Sequence, residues 1–395
     1  MRFLILTIFI LFFSCTKKKT NSIDYSNIKD TIEIVPNEKP IRITDLADTI
    51  SYIFLEENKN SIFGNIDKMI YTKNNIIIID KHITKSIFIF KNNGKFLNKI
   101  NREGKGPGEY IRIGDVFYDN SSDLIVIYDD KSYSFLYYKL SGEFIKKSNT
   151  SLLFLSMARL SNNKYVFHTN KMINKENGKL VKHDILISNL SGEISQRYFK
   201  FDPKQKTNNI SYDLSTVFNK LNENIIVTKL FDNYSYEINI NGLTPRFFWN
   251  YGEKGLNIDY RNKPSSEIYK ILTEDNKFAF GHDITAITND YIFFSYGYKN
   301  FAKNQLGGVY AFNKKMTINF SSIFDELNNC HISLPICTDA NGNFISFIEL
   351  NEENISKLKE DSQLMNYIQS KGIYGINSIL VKYKINSKLF NHEKI

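Results

Sequence analysis

The chain is short of the residues that most often carry chemistry. Its 395 residues include one Trp, three Cys and six His. The single Trp249 argues against WD-type repeats and against tryptophan-docked quinone cofactors. The histidines, at 82, 168, 183, 282, 331 and 392, show no metal-ligand spacing. No Gly-x-Ser-x-Gly elbow, His-Glu-x-x-His or phosphate-binding loop is present. There is also no apolar run long enough to cross a bilayer. The longest N-terminal one, Phe3 to Phe13, is eleven residues, where a spanning helix needs about 20.

What the sequence has is a repeat. Apolar runs flank a tight turn at Gly94, Gly142, Gly192 and Gly242, spaced by 48, 50 and 50 residues, the period of one four-stranded propeller blade. Two further copies keep the run but carry Asn313 and Asn386 at the turn, where Asn tolerates the left-handed backbone; spacings of 71 and 73 residues mark insertions. Six units therefore predict an all-β, six-bladed β-propeller with four-stranded antiparallel blades and short helical insertions in the last two. In the first unit the strands are expected at Ile66 to Tyr71, Asn75 to Asp80, Ser86 to Lys91 and Phe96 to Ile100. The segment Ile41 to Glu56, with Ile50 to Leu55 in it, is expected as a strand ahead of the first full unit that pairs with Ser378 to Ile385 and closes the ring, because closure removes exposed edges. One helix is expected after Ser265 and a second, the best in the chain, over Asn351 to Ser370.

The first residues read as an export signal: Met1 to Ser14 has one basic residue, an apolar stretch and a small residue before Cys15. Leu11-Phe-Phe-Ser-Cys15 resembles the lipobox of bacterial lipoproteins, which implies lipid attachment at Cys15. Residues 15–40 are polar and aperiodic and read as a tether, leaving 41–395 as the propeller. The formal net charge of +9 is spread along the sequence, and no basic stripe with aromatics is visible, so nucleic acid is not an expected partner. Cys330 and Cys337 are expected as packed core thiols, with a disulfide the alternative in an oxidising compartment.

Between the first two units lies Asn101-Arg-Glu-Gly-Lys-Gly-Pro-Gly-Glu-Tyr110. With the Asn-Gly turn before it and Ile41 to Leu55 upstream, this resembles the NHL-like six-bladed β-propeller lipoproteins of Gram-negative envelopes. The resemblance implies a lipid-anchored binding module of the cell envelope, with an envelope protein, small ligand or glycan as partner, and says little about activity. The basic Thr16-Lys-Lys-Lys-Thr20 departs from the acidic residues that such proteins carry when displayed on the surface, and favours the periplasmic side.

Two site readings follow from the residues. Three glycines and a proline leave backbone N–H groups exposed beside Arg102 and Lys105, a candidate anion site with Glu109 and Tyr110; the structural alternative is a blade crossover, since Asn250-Tyr-Gly-Glu-Lys-Gly255 repeats the pattern faintly. The enzyme alternative is a Ca²⁺-dependent, lactonase-like hydrolase. It would gather Asp67, Asp115, Asp283 and His282, with Asp213 nearby, at the axial channel, although Asp at a strand start commonly caps a turn or faces solvent. Tyr291, Tyr296 and Tyr298 are candidates for glycan stacking or for sheet packing.

Overall fold

The computed structural model describes residues 23–26, 28–161, 163–204, 217–229, 232–256, 263–274, 277–300, 304–371 and 377–391. The export signal, Cys15, the Lys17 to Lys19 run and Asp213 lie outside these.

Runs of Ile, Val, Phe and Tyr, β-branched or aromatic, form strands throughout, and the middle strands of the sheets, such as Asn75–Asp80 and Ser86–Lys91, are buried on both faces. Among the described residues six sheets each contain four antiparallel strands, in chain order in the first five. The first is Lys68–Tyr71, Asn75–Asp80, Ser86–Lys91 and Phe96–Ile100, close to the expected bounds. The second runs from Ile113–Asp119 to Phe144–Asn149, the third from Ser156–Ser161 to Ile194–Lys200, the fourth from Phe218–Leu221 to Gly242–Asn250, and the fifth from Ala279–Ile287 to Met316–Phe320. The sixth joins Cys337–Thr338, Phe344–Ile348 and Ile379–Ile385 to Ala47–Ile53 from the start of the chain. The expected terminal pairing is present, with Ile50 opposite Tyr383 and Ile53 opposite Leu380.

One hydrophobic cluster fills each joint between consecutive sheets. Ile77, Ile127 and Tyr138 sit between the first and second; Phe154 and Phe167 between the second and third; Val166 and Val227 between the third and fourth. Trp249 and Phe294 pack between the fourth and fifth, Phe293 and Phe344 between the fifth and sixth, and Ile345 and Phe88 between the sixth and first. The series returns to its start, so the sheets stand in a ring and the fold is a β-propeller. The turn glycines serve the same joints. Gly94 has φ of +87°, and a Cβ there would lie 2.1 Å from the Phe54 carbonyl on the outer edge of the sixth sheet, so only glycine lets the first sheet approach the last.

Two expectations are corrected. The tether does not extend to residue 40: Asp30–Glu33 adds a fifth strand to the fourth sheet, parallel to Phe247–Asn250, with Ile32 and Ile34 buried. Polarity along 15–40 hid the alternation of Asp30, Ile32 and Ile34, which suits an edge strand. From there the chain runs along the fifth sheet, where the Asn37 side chain donates to the Asn319 carbonyl and Glu38 pairs with Lys299. It reaches the sixth sheet after Ile41 pairs with Ile323. The long helix over 351–370 is two short ones, Glu352–Lys357 and Gln363–Lys371. Asn351 caps the first; Leu358 is extended and buried, and the Ser362 hydroxyl accepts from the Met365 N–H to start the second. The helix expected after Ser265 is present as Ser265–Glu274.

Connections divide by face. The first-to-second and third-to-fourth strand turns, on one face, are two to five residues long. The insertions all fall on the other face: the Asn101 to Arg112 crossover, the hairpin Asn174–Glu176 with Lys179–Val181, the helix Ser265–Glu274, the strands Ile323–Asp325 and Cys330–Ile332, and the paired helices of the sixth sheet. An antiparallel sheet alternates its loops between two ends, so this segregation is a property of the ring and not of any one blade.

Candidate functional site

The innermost strands enclose an axial cavity of about 1250 Å³, lined by residues of the first, fourth, fifth and sixth sheets together with Tyr118 and Asp123 of the second. Its lining mixes charge: Asp67, Lys68, Lys220 and Asp339 with Asn219, Thr285, Ser295 and Gln305. The Tyr71 hydroxyl is pushed up to about 12 by burial, with Asp339 and Cys337 adding to it, and the Tyr118 hydroxyl up to about 12 by burial and its bond to Asp123, so both stay protonated at neutral pH. The cavity therefore offers neutral donors and paired charges.

The carboxylates proposed as metal ligands are engaged elsewhere. Asp115 is buried and accepts from Lys68 Nζ at 2.7 Å, the Val116 N–H at 2.8 Å and the Met157 N–H at 2.9 Å, bonds that tie the first, second and third sheets. Burial works against its charge, but Lys68 and Lys81 hold the carboxyl below the usual range. Asp67 accepts from the Lys81 N–H at 2.6 Å and the Asn65 side chain at 2.9 Å. His282 is buried in the joint between fourth and fifth sheets, stacked on Trp249 with ring centres 4.2 Å apart and its Nδ1 2.9 Å from the Tyr251 hydroxyl. Asp283 is buried on the same strand. Among the described residues no three His, Cys, Asp or Glu side chains group as metal ligands, so the convergence that the hydrolase reading requires of Asp67, Asp115, Asp283 and His282 does not occur.

The Gly-rich loop is a crossover. The Gly104 N–H donates to the Tyr110 carbonyl and the Tyr110 N–H to the Arg102 carbonyl, both at 3.0 Å; the Gly106 N–H donates to Glu109 Oε2 at 2.7 Å. Glu109 thus occupies the donor an external anion would use. Tyr110 is buried, and its hydroxyl donates to the Lys85 carbonyl at 2.7 Å. Gly108, with φ of +72°, leaves room for Phe144, which a Cβ would meet at 2.8 Å. Arg102 and Lys105 remain exposed. Cys330 and Cys337 are free thiols, the first buried. Tyr296 is buried in the joint between the fourth and fifth sheets, and Tyr291 stacks on Phe390, so both pack the sheet.

The sequence reading passed over two carboxylates that shape the insertion face. Asp80 accepts from the N–H groups of Gly64 (2.8 Å), Ile83 (2.9 Å) and Thr84 (3.1 Å); Asp129 accepts from those of Ile111 (2.9 Å), Lys131 (3.0 Å) and Ser132 (3.3 Å). Each staples its own turn to the crossover arriving from the preceding sheet. The visible signal was an Asp ending the second apolar run of each of the first two units, 49 residues apart. Burial opposes ionisation of both, yet the N–H and hydroxyl donors hold them below the usual carboxylate range. A depressed folded pKa means stability that is complete above the unfolded value of about 4 and lost as pH falls through the lower folded value. Thermal melting is expected to decline steeply below about pH 4, and Asp129→Asn to flatten that decline. An unchanged acid limb in the variant would remove Asp129 from this role.

These features define a β-propeller with a closed sheet ring, one plain face and one elaborated face. The chain belongs to the family described as "Domain of unknown function (DUF4934)", whose model matches residues 17–383. No curated protein matches it. Among solved structures it is similar to BF0058 of Bacteroides fragilis NCTC 9343, named as an exported protein, at 17% identity and a TM-score of 0.72 over 90% of this chain and 99% of that one. A member of the duf4221 family from Bacteroides vulgatus ATCC 8482 is 12% identical, with a TM-score of 0.50 over 86% and 98%. BamB from Moraxella catarrhalis, 11% identical, gives 0.38 over 74% and 76%. At these identities the likeness concerns the fold. No helix among the described residues is long and apolar enough to cross a membrane.

Proposed function

We propose that this protein is a six-bladed, lipid-anchored propeller of the cell envelope, facing the periplasm, that works as a non-catalytic binding module. One observation carries the reading: among the described residues every insertion lies on one face of the ring, while the opposite face has tight turns and the short helical turn Ser387–Phe390. Elaborated loops on a rigid scaffold are where propellers and other closed β folds recognise partners. The lipobox-like Leu11 to Cys15 and the exported relative in Bacteroides support the envelope assignment. The six four-stranded sheets and their six shared clusters support the blade number.

The test is photocrosslinking in cells, with the crosslinker placed in turn on the insertion face, at Lys131 and Lys175, and on the plain face, at Asn93 and Asn241. Discrete crosslinked proteins from the insertion face alone are expected, and Cys15→Ser is expected to release the protein from the membrane fraction. Equal crosslinking from both faces overturns the reading. The form starting at Asp24 is expected to melt at the same temperature in EDTA and in added Ca²⁺; a clear rise with Ca²⁺ would return the hydrolase to consideration.

A further inference from the structure

The charge that looks evenly spread along the sequence is concentrated in space. Four loops of the insertion face, residues 81–85, 101–112, 130–133 and 169–182, carry ten Lys and Arg against four Asp and Glu. Asp80, Asp129 and Asp184, buried at the strand ends beside these loops, bring the excess down to three. The four acids within the loops are paired: Glu103 with Lys85, Asp130 with Arg112, Glu176 with Arg197, and Glu109 with the Gly106 N–H. Arg102, Lys105, Lys131, Lys175 and Lys179 are exposed. The field over this sector is positive at neutral pH.

The loops form one continuous strip. Lys85 and Glu103 join the first to the second, as does the Tyr110 hydroxyl bond to the Lys85 carbonyl. Arg112 and Asp130 join the second to the third. The Thr150 N–H donates to the Tyr133 carbonyl, and the Asn174 side chain bonds both the N–H and the carbonyl of Leu153, which carries the strip to the fourth loop. Five large apolar side chains stand out of it: Ile83 at 64% exposure, Leu180 at 55%, Tyr133 at 47%, and Ile111 and Ile173 at 37%. The strip is held firmly. Lys85 and Tyr133 occupy equivalent turn positions in the left-handed region, φ of +50° each, a conformation that non-glycine residues keep only where surrounding bonds impose it.

From this geometry we infer that the basic, apolar-studded strip across the first three sheets binds an acidic protein segment in which apolar residues alternate with Asp or Glu. The inference rests on the binding-module reading and names the partner's chemistry. Charge complementarity selects an acidic chain. The five apolar side chains are spread over four loops between lysines, which suits an extended segment presenting alternate side chains to them. Steering by the lysines sets the association rate, and burial of Ile83, Tyr133 and Leu180 sets the residence time.

The test is fluorescence anisotropy with the full chain and labelled synthetic peptides: one alternating Glu and Leu, one alternating Glu and Ser, and one alternating Lys and Leu, with phosphatidylglycerol vesicles as a separate arm. The Glu–Leu peptide is expected to bind, to weaken as salt rises, and to weaken by about tenfold or more in Lys175→Glu/Lys179→Glu and, separately, in Ile83→Ser/Leu180→Ser. Both doubles alter exposed loop residues and are expected to melt like the parent. Equal binding of the Glu–Ser peptide, indifference to either double substitution, binding of the Lys–Leu peptide, or retention on vesicles without peptide binding would each overturn the inference. Self-association abolished by Lys175→Glu/Lys179→Glu would overturn it too, in favour of a second copy. If an envelope protein still crosslinks to the insertion face of the charge-reversed variant, the binding-module reading stands and this strip is not its site.

Discussion

A chain beginning at Ile41 is expected to be less stable than one beginning at Asp24 by on the order of 5 kcal/mol, a large part of the roughly 5–15 kcal/mol that holds a typical domain. The loss has two sources. Ile32 and Ile34 are both buried, and withdrawing each side chain forfeits roughly 1.5–3 kcal/mol. Asp30 is the second: it accepts from Arg246, Lys315 and the Tyr310 hydroxyl at the edge of the fourth sheet. Without it, the mostly buried Arg246 keeps, among the described residues, Glu237 at 3.7 Å and the ring faces of Phe247 and Phe312, and an under-compensated charge in such a place is costly. Urea titration of the two forms measures the difference, and the melting point is expected to drop by about 10 °C. Asp30→Asn in the longer form is expected to reproduce part of the loss. Coincident curves would mean that the strap merely lies on the sheet.

Replacing Asp115 by Ala is expected to cost about 3–5 kcal/mol, because one substitution leaves Lys68 without its partner and the buried Val116 and Met157 N–H groups without an acceptor. Asp115→Asn keeps an acceptor oxygen and is expected to cost less than Asp115→Ala. Replacing Lys68 and Asp115 together, by Met and Leu, is expected to recover most of the cost of losing the ion pair, though not of the stranded N–H groups. Measured as a double-mutant cycle by urea unfolding, a coupling energy near zero would show that the pair contributes nothing. The same variants address the abandoned metal reading. A ligand's loss alters metal affinity, whereas this carboxylate's loss is expected to loosen the joints between the first three sheets.

Much of the architecture was legible because each blade announces itself locally. Apolar runs of strand length, turn residues that accept positive φ and a near-constant period are properties of 50-residue windows, and strand bounds such as Asn75–Asp80 and Ser86–Lys91 follow directly. The closing strand was legible for a related reason: a ring with an odd strand at its start has one unsatisfied edge to offer it. The fifth strand at Asp30 was not, since four residues of alternating burial inside a polar stretch look like a linker until the edge that receives them is known. The site was less legible. Aspartates at strand starts looked like candidate ligands because sequence spacing gives direction along the strand but not the neighbour across the joint. For Asp115 the neighbours are a lysine and two backbone amides. For His282 it is the face of Trp249.

By itself the sequence determined the repeat, the strand content, the positions of the insertions and the total charge, because these depend on composition and on contacts between residues close in the chain. Tertiary structure decided where the charge gathers, which carboxylates are consumed by structure and which face carries the elaboration. Loops at 81–85 and 169–182 are about ninety residues apart in sequence and belong to different sheets. They share one surface only because closing the ring brings the same end of every blade to the same side.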